Sequence, residues 1–185
     1  TLLAEAVRDA AGDGEAVERF AARMQHESAR LGRLVQELME LSKVQGVDPM
    51  PSAAEVDVEQ LVADAVDRER LAAEQAGIEI DVRCEPGLRV RGNDAQLAAA
   101  VANLVDNAIA YSESGSRVVV LARAASDHQA RPTVDIAVTD QGIGVGAPEQ
   151  ERIFERFYRV DPARSRATGG TGLGLAIVKN VVTNH

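Results

Sequence analysis

Three short segments carry residue types whose spacing could do chemistry. Asn103 and Asn107 stand four apart in Asn103-Leu104-Val105-Asp106-Asn107-Ala108-Ile109-Ala110-Tyr111, so on a helix they share one face. Amides buried in an apolar helix need partners, and an amide oxygen is a hard, neutral ligand suited to Mg2+. Two satisfied core amides would give the same spacing. Asp140-Gln141-Gly142-Ile143-Gly144 directly follows an apolar, strand-like run. Its glycines let backbone approach a flat ligand, and the carboxylate can accept a hydrogen bond from an exocyclic amine. A plain Gly-rich turn has the same composition. In Gly169-Gly170-Thr171-Gly172-Leu173-Gly174-Leu175-Ala176-Ile177, a Gly-rich loop feeds a helix. Free N–H groups and the helix dipole at such a junction favour phosphate oxygens. No Gly-Lys-Ser or Gly-Lys-Thr follows, so it is not a Walker A loop, and its spacing and lack of a leading strand exclude a Gly-x-Gly-x-x-Gly turn.

These segments need a scaffold, and the composition supports one. The chain has 185 residues, 45% of them hydrophobic and 26% charged, as in folded globular domains. With 3% aromatic residues and no Trp, the core must be built from Leu, Val, Ile and Ala. The net charge of -9 argues against nonspecific nucleic-acid binding, and any phosphate site must gather its own positive potential. Cys84 is the single cysteine, so no intrachain disulfide can form, which fits a reducing cytosol. No apolar run approaches the roughly 20 residues of a membrane span, so no membrane contact by this chain is expected.

Residues 1–11 read as the tail of a helix, broken by Gly12-Asp13-Gly14. A long helix is expected over 15–45, with Leu31, Leu34, Leu38 and Leu41 forming the seam of a helical bundle. Gly46 ends it and 47–55 reads as a linker. Beyond lie strands at 56–58, 78–82, 88–91, 117–123 and 133–139, with helices at 59–76 and from Asn93 or Asp94 to Tyr111. A helix over 148–158, a loop rich in Arg, Gly and Ser over 159–171, and a helix from Leu173 to His185 complete the chain. The fold class is α+β: a helical hairpin over 1–46, then an α/β sandwich over 56–185 with helices on one face of a mixed sheet.

In this order, the three segments resemble the N, G1 and G2 boxes of the histidine-kinase branch of the GHKL ATPases (gyrase, Hsp90, histidine kinase, MutL). Phe154-Glu155-Arg156-Phe157-Tyr158-Arg159 resembles the F box, and Arg33-Leu34-Val35-Gln36-Glu37-Leu38-Met39-Glu40-Leu41-Ser42 resembles the second helix of the dimerisation domain. The resemblance covers nearly the whole chain and is to actinobacterial sensor kinases of the phosphate-responsive kind.

The resemblance implies ATP and Mg2+ as ligands. Asn107 is implied to coordinate the metal, with Asn103 helping to hold the metal–phosphate end. Asp140 is implied to bind the adenine amine, with Gly142 and Gly144 admitting the base and Tyr111 packing near the nucleotide. Gly170, Thr171, Gly172, Leu173 and Gly174 are implied to cradle phosphates, Gly172 leaving room for their approach. Arg159 is implied to reach the γ-phosphate, with Arg156, Arg164 and Arg166 nearby, and 159–171 to be a mobile ATP lid. The hairpin is implied to close a four-helix bundle in a homodimer, and the partner to be a response-regulator receiver domain, in a cytoplasmic portion of a membrane-anchored sensor.

Two departures from the family pattern stand out. Ala110 takes the place of a frequent Lys, and the chain stops at His185, before the Gly-Gly turn and closing strands that usually follow. The family's acceptor histidine is expected upstream of Thr1. His26 lies in the second helix with no Thr-Pro after it, and neither His128 nor His185 is placed to receive phosphate, so ATP binding without autophosphorylation is expected. A gyrase- or MutL-like ATPase would need a Glu as general base where Asn103 stands, and an amide cannot take a proton at neutral pH. The other alternative is a dimerisation or regulatory module with a degenerate nucleotide site, to which Ala110 lends support.

Overall fold

The computed structural model describes residues 13–44, 53–160 and 170–185. Helix α1 (Gly14–Val44) starts where the Asp13 carboxylate accepts the Ala16 amide at 3.1 Å, an N-cap bond at the Gly12-Asp13-Gly14 break. The helix expected over 1–11 and the linker residues 47–52 lie outside the described residues. Strand β1 (Ala54–Asp57) begins inside the stretch read as linker. It pairs antiparallel with β3 (Arg89–Gly92), Val56 opposite Val90.

Helix α2 (Val58–Ala76) is capped by Asp57, whose side chain accepts the Glu59 and Gln60 amides. It ends at Gly77, where φ is +68°, the left-handed cap that favours glycine. Helix α3 (Asp94–Tyr111) is capped by Asn93, which accepts the Gln96 amide. Strands β2 (Glu79–Cys84), β4 (Arg117–Ser126) and β5 (Pro132–Thr139) form a mixed sheet in the order β2-β4-β5. β2 and β4 run parallel; β4 and β5 run antiparallel. A parallel pair needs a crossover, and α3 lies within it.

The core follows from periodicity. Leu61, Val62, Ala65 and Val66 of α2 and Val101, Val105, Ala108 and Ile109 of α3 are buried at helical spacing, with Val118, Val120 and Ala122 alternating along β4 beneath them. Each fully buried Val or Leu contributes roughly 1.5–3 kcal/mol. The two helices therefore cover one face of the sheet, as expected for the sandwich. Along the sheet's strands Glu79–Arg117, Asp81–Arg83 and Arg123–Asp135 form ion pairs.

Helix α4 (Gly174–Asn184) packs on α3 through Ala100, Leu173, Ile177, Val178 and Val181. Leu34 of α1 packs against the same cluster. Of the expected bundle seam, Leu31 is exposed and Leu34 turns to α4, whereas the side chains of Leu38 and Leu41 lie outside the described residues.

The expected helix over 148–158 is instead two 3-10 turns, Ala147–Glu149 and Arg152–Phe154. Glu155 is extended and Phe157 has φ +62°, so the chain turns away before a helical ladder can form. Among the described residues no helix is long and apolar enough to cross a membrane.

Candidate functional site

A cleft of about 360 Å3 opens between α3, the loop after β5, the segment after the 3-10 turns and the start of α4. That is the size of a small-molecule site. Ten of the twelve residues singled out in the sequence line it: Asn103, Asn107, Tyr111, Asp140, Gly144, Arg159, Gly170, Thr171, Gly172 and Gly174. Gly142 and Leu173 do not line it.

Each wall has a local cause. Asn103 and Asn107 lie one turn apart on α3, both partly buried. Asn103 donates Nδ2 to the Ala99 carbonyl at 2.9 Å, which fixes its amide. Asn107 has no hydrogen-bond partner among the described residues, so its amide is available to a ligand in the cleft. Ala110, the departure from the family pattern, is half-buried and does not line the cleft.

After β5 the Asp140 carboxylate accepts the Gly142 amide at 2.8 Å, closing a tight turn. A Cβ on Gly142 would stand 2.5 Å from the Tyr111 carbonyl, so this glycine lets the turn press against the end of α3. Gly144 has φ +69°, with open space around it. Ile143 and Val145, both exposed, form an apolar rim on the same wall.

At the opposite wall no side chain caps α4, so the first amides of this helix present partial positive charge to the cleft. Thr171 accepts the Leu173 amide through its hydroxyl at 3.2 Å. The Leu173 side chain is 1% exposed and belongs to the core between α3 and α4. Gly172 has φ +78°, and a Cβ there would meet the Phe157 backbone at 3.0 Å. Within this structure the space beside Gly172 is taken by Phe157 backbone, and not by room left for phosphate as the sequence reading expected.

Arg159 completes the site. Its Nε and Nη2 are sheltered from solvent and have no hydrogen-bond partner among the described residues. Unpaired charged donors held this way are costly, and Arg159 also lines the cleft, where an anion would suit its guanidinium. Arg164 and Arg166 lie outside the described residues, and Arg156 is exposed and not part of the lining.

The sequence reading missed Asp106, Ile153, Tyr158 and Val160 as lining residues. Tyr158 is held by its hydroxyl on Glu149 and by the Arg152 guanidinium 4.3 Å from its ring centre. Its place inside the quoted Phe-Glu-Arg-Phe-Tyr-Arg run was the signal that could have found it. Behind Asp106, on α2, burial pushes the Glu69 carboxyl above its ordinary range, and the Asp106 charge adds to the effect. Among the described residues no cluster of three His, Cys, Asp or Glu could hold a metal. A cation here would instead rely on the Asn107 amide and on ligand oxygens, as Mg2+ commonly does.

Neither His128 nor His185 lines the cleft. His26 lies in α1, its side chain outside the described residues, and His128 lies between β4 and β5. The His185 ring accepts the Asn93 amide at Nε2, 3.0 Å away, and meets the Val181 carbonyl at 2.7 Å through Nδ1.

Residues 92–185 match the model of the family described as histidine kinase-, DNA gyrase B- and HSP90-like ATPases. Over 184 residues the chain is 50% identical to the sensor-like histidine kinase SenX3 of Mycobacterium tuberculosis (strain ATCC 25618 / H37Rv), covering 100% of this chain and 44% of that protein. It is 35% identical over 162 residues to the phosphate regulon sensor protein PhoR of Pseudomonas aeruginosa, covering 88% of this chain and 35% of that protein. The chain thus spans less than half the length of these curated relatives. Among solved structures, the mycobacterial sensor histidine kinase MprB superposes with a TM-score of 0.60 at 35% identity, covering 72% of this chain and 80% of that one. Full-length ShkA, solved in complex with AMPPNP, superposes with a TM-score of 0.72 at 27% identity, covering 92% of this chain and 34% of that one.

Proposed function

The chain belongs to the histidine kinase-, DNA gyrase B- and HSP90-like ATPase family, and we propose that it is the ATP-handling part of a two-component sensor histidine kinase. The observation that carries this reading is Arg159: it lines the cleft with two sheltered guanidinium nitrogens left unpartnered, and the uncapped start of α4 lines the same cleft. Both call for the same ligand chemistry, a chain of phosphates.

The roles follow from position. Asp140 keeps one carboxylate oxygen on the Gly142 amide and offers the other to the adenine amine, while Ile143 and Val145 cover the base. Tyr111 packs beside the nucleotide, and Gly142 and Gly144 shape the turn that admits it. Gly170, Thr171, Gly172, Leu173 and Gly174 bring the start of α4 to the phosphates, and Arg159 takes the terminal one. Asn107 fits a Mg2+ ion as a neutral oxygen ligand; the ion, when bound, neutralises charge on the β- and γ-phosphates. Asn103 fixes the metal–phosphate end through its bond to Ala99.

Position 103 also separates this reading from an ATP hydrolase. An amide whose Nδ2 is already engaged cannot serve as general base for water. The terminal phosphoryl group then goes to a nucleophile that needs no such base, an imidazole nitrogen, and afterwards to the aspartate of a receiver domain. Neither His128 nor His185 lines the cleft, and the proposed acceptor is an imidazole on another part of the parent protein.

Calorimetric titration with ATP and Mg2+ tests the reading. Micromolar binding lost in Arg159→Ala is the expected result. A folded chain that binds no ATP would leave the degenerate regulatory module in its place.

A further inference from the structure

Phe157 is an anomaly. It has φ +62°, a conformation uncommon outside glycine and least suited to bulky residues. Its side chain, 62% exposed, fills no part of the core that would explain the strain. What is engaged is its backbone: the Phe157 amide donates to the Gly172 carbonyl at 2.8 Å. Gly172 is itself left-handed, and its Cα lies so close that a Cβ would stand 3.0 Å from the Phe157 Cα and carbonyl carbon. Two left-handed residues, 15 positions apart in sequence, are thus pressed backbone to backbone.

The consequence lies in the next two residues. The reversal at 157 sends Tyr158 into the cleft wall, where Glu149 and Arg152 hold it. It then presents Arg159 with its two sheltered guanidinium nitrogens. We propose that Phe157 is a positioning residue of the nucleotide site, acting through its left-handed backbone, which clamps the Gly172 turn and aims Arg159 at the terminal phosphate. Strain kept at a functional site is retained where the surroundings over-determine it, and here the Gly172 bond on one side and the anchored Tyr158 on the other do so. The inference rests on the reading of the cleft as an ATP site.

The test is a substitution series at one position, read as the affinities for ATP and ADP with Mg2+ and as the melting temperature. Glycine and asparagine accept a positive φ, whereas valine resists it. Phe157→Gly and Phe157→Asn are expected to keep ATP affinity within about twofold of the parent. Phe157→Val is expected to weaken ATP by about tenfold or more, and ADP by less, because the γ-phosphate contact is what Arg159 supplies. Loss of ATP affinity in the Gly and Asn variants with retention in Val would show that the apolar side chain matters, and would overturn the inference. Equal affinities throughout would overturn it too. If the Val variant does not fold, Phe157→Ala takes its place: its Cβ still disfavours a positive φ, and the Gly variant controls for loss of the ring. ATP is then expected to weaken more than ADP, equal affinities in Ala and Gly overturning the inference. Failure of the unsubstituted chain to bind either nucleotide would instead remove the ATP reading, and this inference with it.

Discussion

Asn103 and Gly174 fit together because residue 174 has no side chain: a Cβ there would stand 2.7 Å from Asn103 Oδ1 and 3.4 Å from its Cγ. Asn103 is not free to swing aside, since Nδ2 is bonded to the Ala99 carbonyl. The contact joins the two helices that flank the cleft, one turn from Asn107. Gly174→Ala is therefore expected to break the Ala99 bond or to push α4 outward, at a stability cost of about 1–3 kcal/mol. ATP affinity should fall by about tenfold, measured by calorimetry on the folded variant. Unchanged affinity would show that the spacing of α3 and α4 does not govern the site.

The contacts just described mark the boundary of what the sequence makes legible. The local signals are plain: Asp57 and Asn93 cap helices, Gly77 ends one, and alternation along β4 separates core from surface. Each of the three Gly- and Asn-bearing segments alone has a plain structural reading, and it is their combination in this order that points to a ligand site. Contacts between distant segments leave no such trace. Gly92 has no unusual φ, yet a Cβ there would meet the His185 ring at 2.5 Å, a constraint set 93 residues away. The segment over 148–158 reads as a helix in sequence, yet it forms two 3-10 turns, with Glu155 extended and Phe157 tied to the distant Gly172. Leu34 reads as part of a bundle seam until α4 is placed beside it.

Asn107→Asp tests the metal-side assignment. The substitution keeps shape but puts a negative charge where phosphates and their metal are proposed to lie. Repulsion should lower ATP affinity by about tenfold or more, with little change in melting temperature, because Asn107 has no partner among the described residues to lose. Equal ATP affinity with and without Mg2+ in both proteins would count against Asn107 as a metal ligand.

Glu69 gives a pH signature. Burial, then the charge of Asp106, raises its folded pKa above the ordinary glutamate value, with Arg68 opposing the shift. In the window just above about pH 4.3 the folded chain holds this proton and the unfolded chain has released it. The folded state binds more protons there, so this group's contribution makes stability fall as pH rises through the window. Above the raised pKa the full penalty persists. Glu69→Gln should remove it, raising the melting temperature at pH 7 and leaving it unchanged below about pH 4. Thermal melts of both proteins across pH 4–8 check the sign; an equal offset at every pH would assign the effect to packing instead.

The exposed face of α1 bears on assembly. Leu31, Val35 and Met39 are 60%, 58% and 53% exposed and recur at intervals of four, an apolar stripe on one side of the helix. Leu34, at the edge of this stripe about 60° round the helix from Leu31, is occupied by the cluster of Ala100, Ile177 and Val181. The proposed homodimer should therefore use the stripe, related by a two-fold axis in a helical bundle, and not Leu34. Val35→Glu would place a charge in that interface and is expected to leave a monomer that still binds ATP. Leu34→Ala should behave differently: it loosens α1 from α4 at a cost of about 1–2 kcal/mol and leaves the association intact. Light scattering over a concentration series separates the two. A Val35→Glu chain that stays dimeric, or a Leu34→Ala chain that becomes monomeric, would move the interface off the stripe and onto the α4 side of α1.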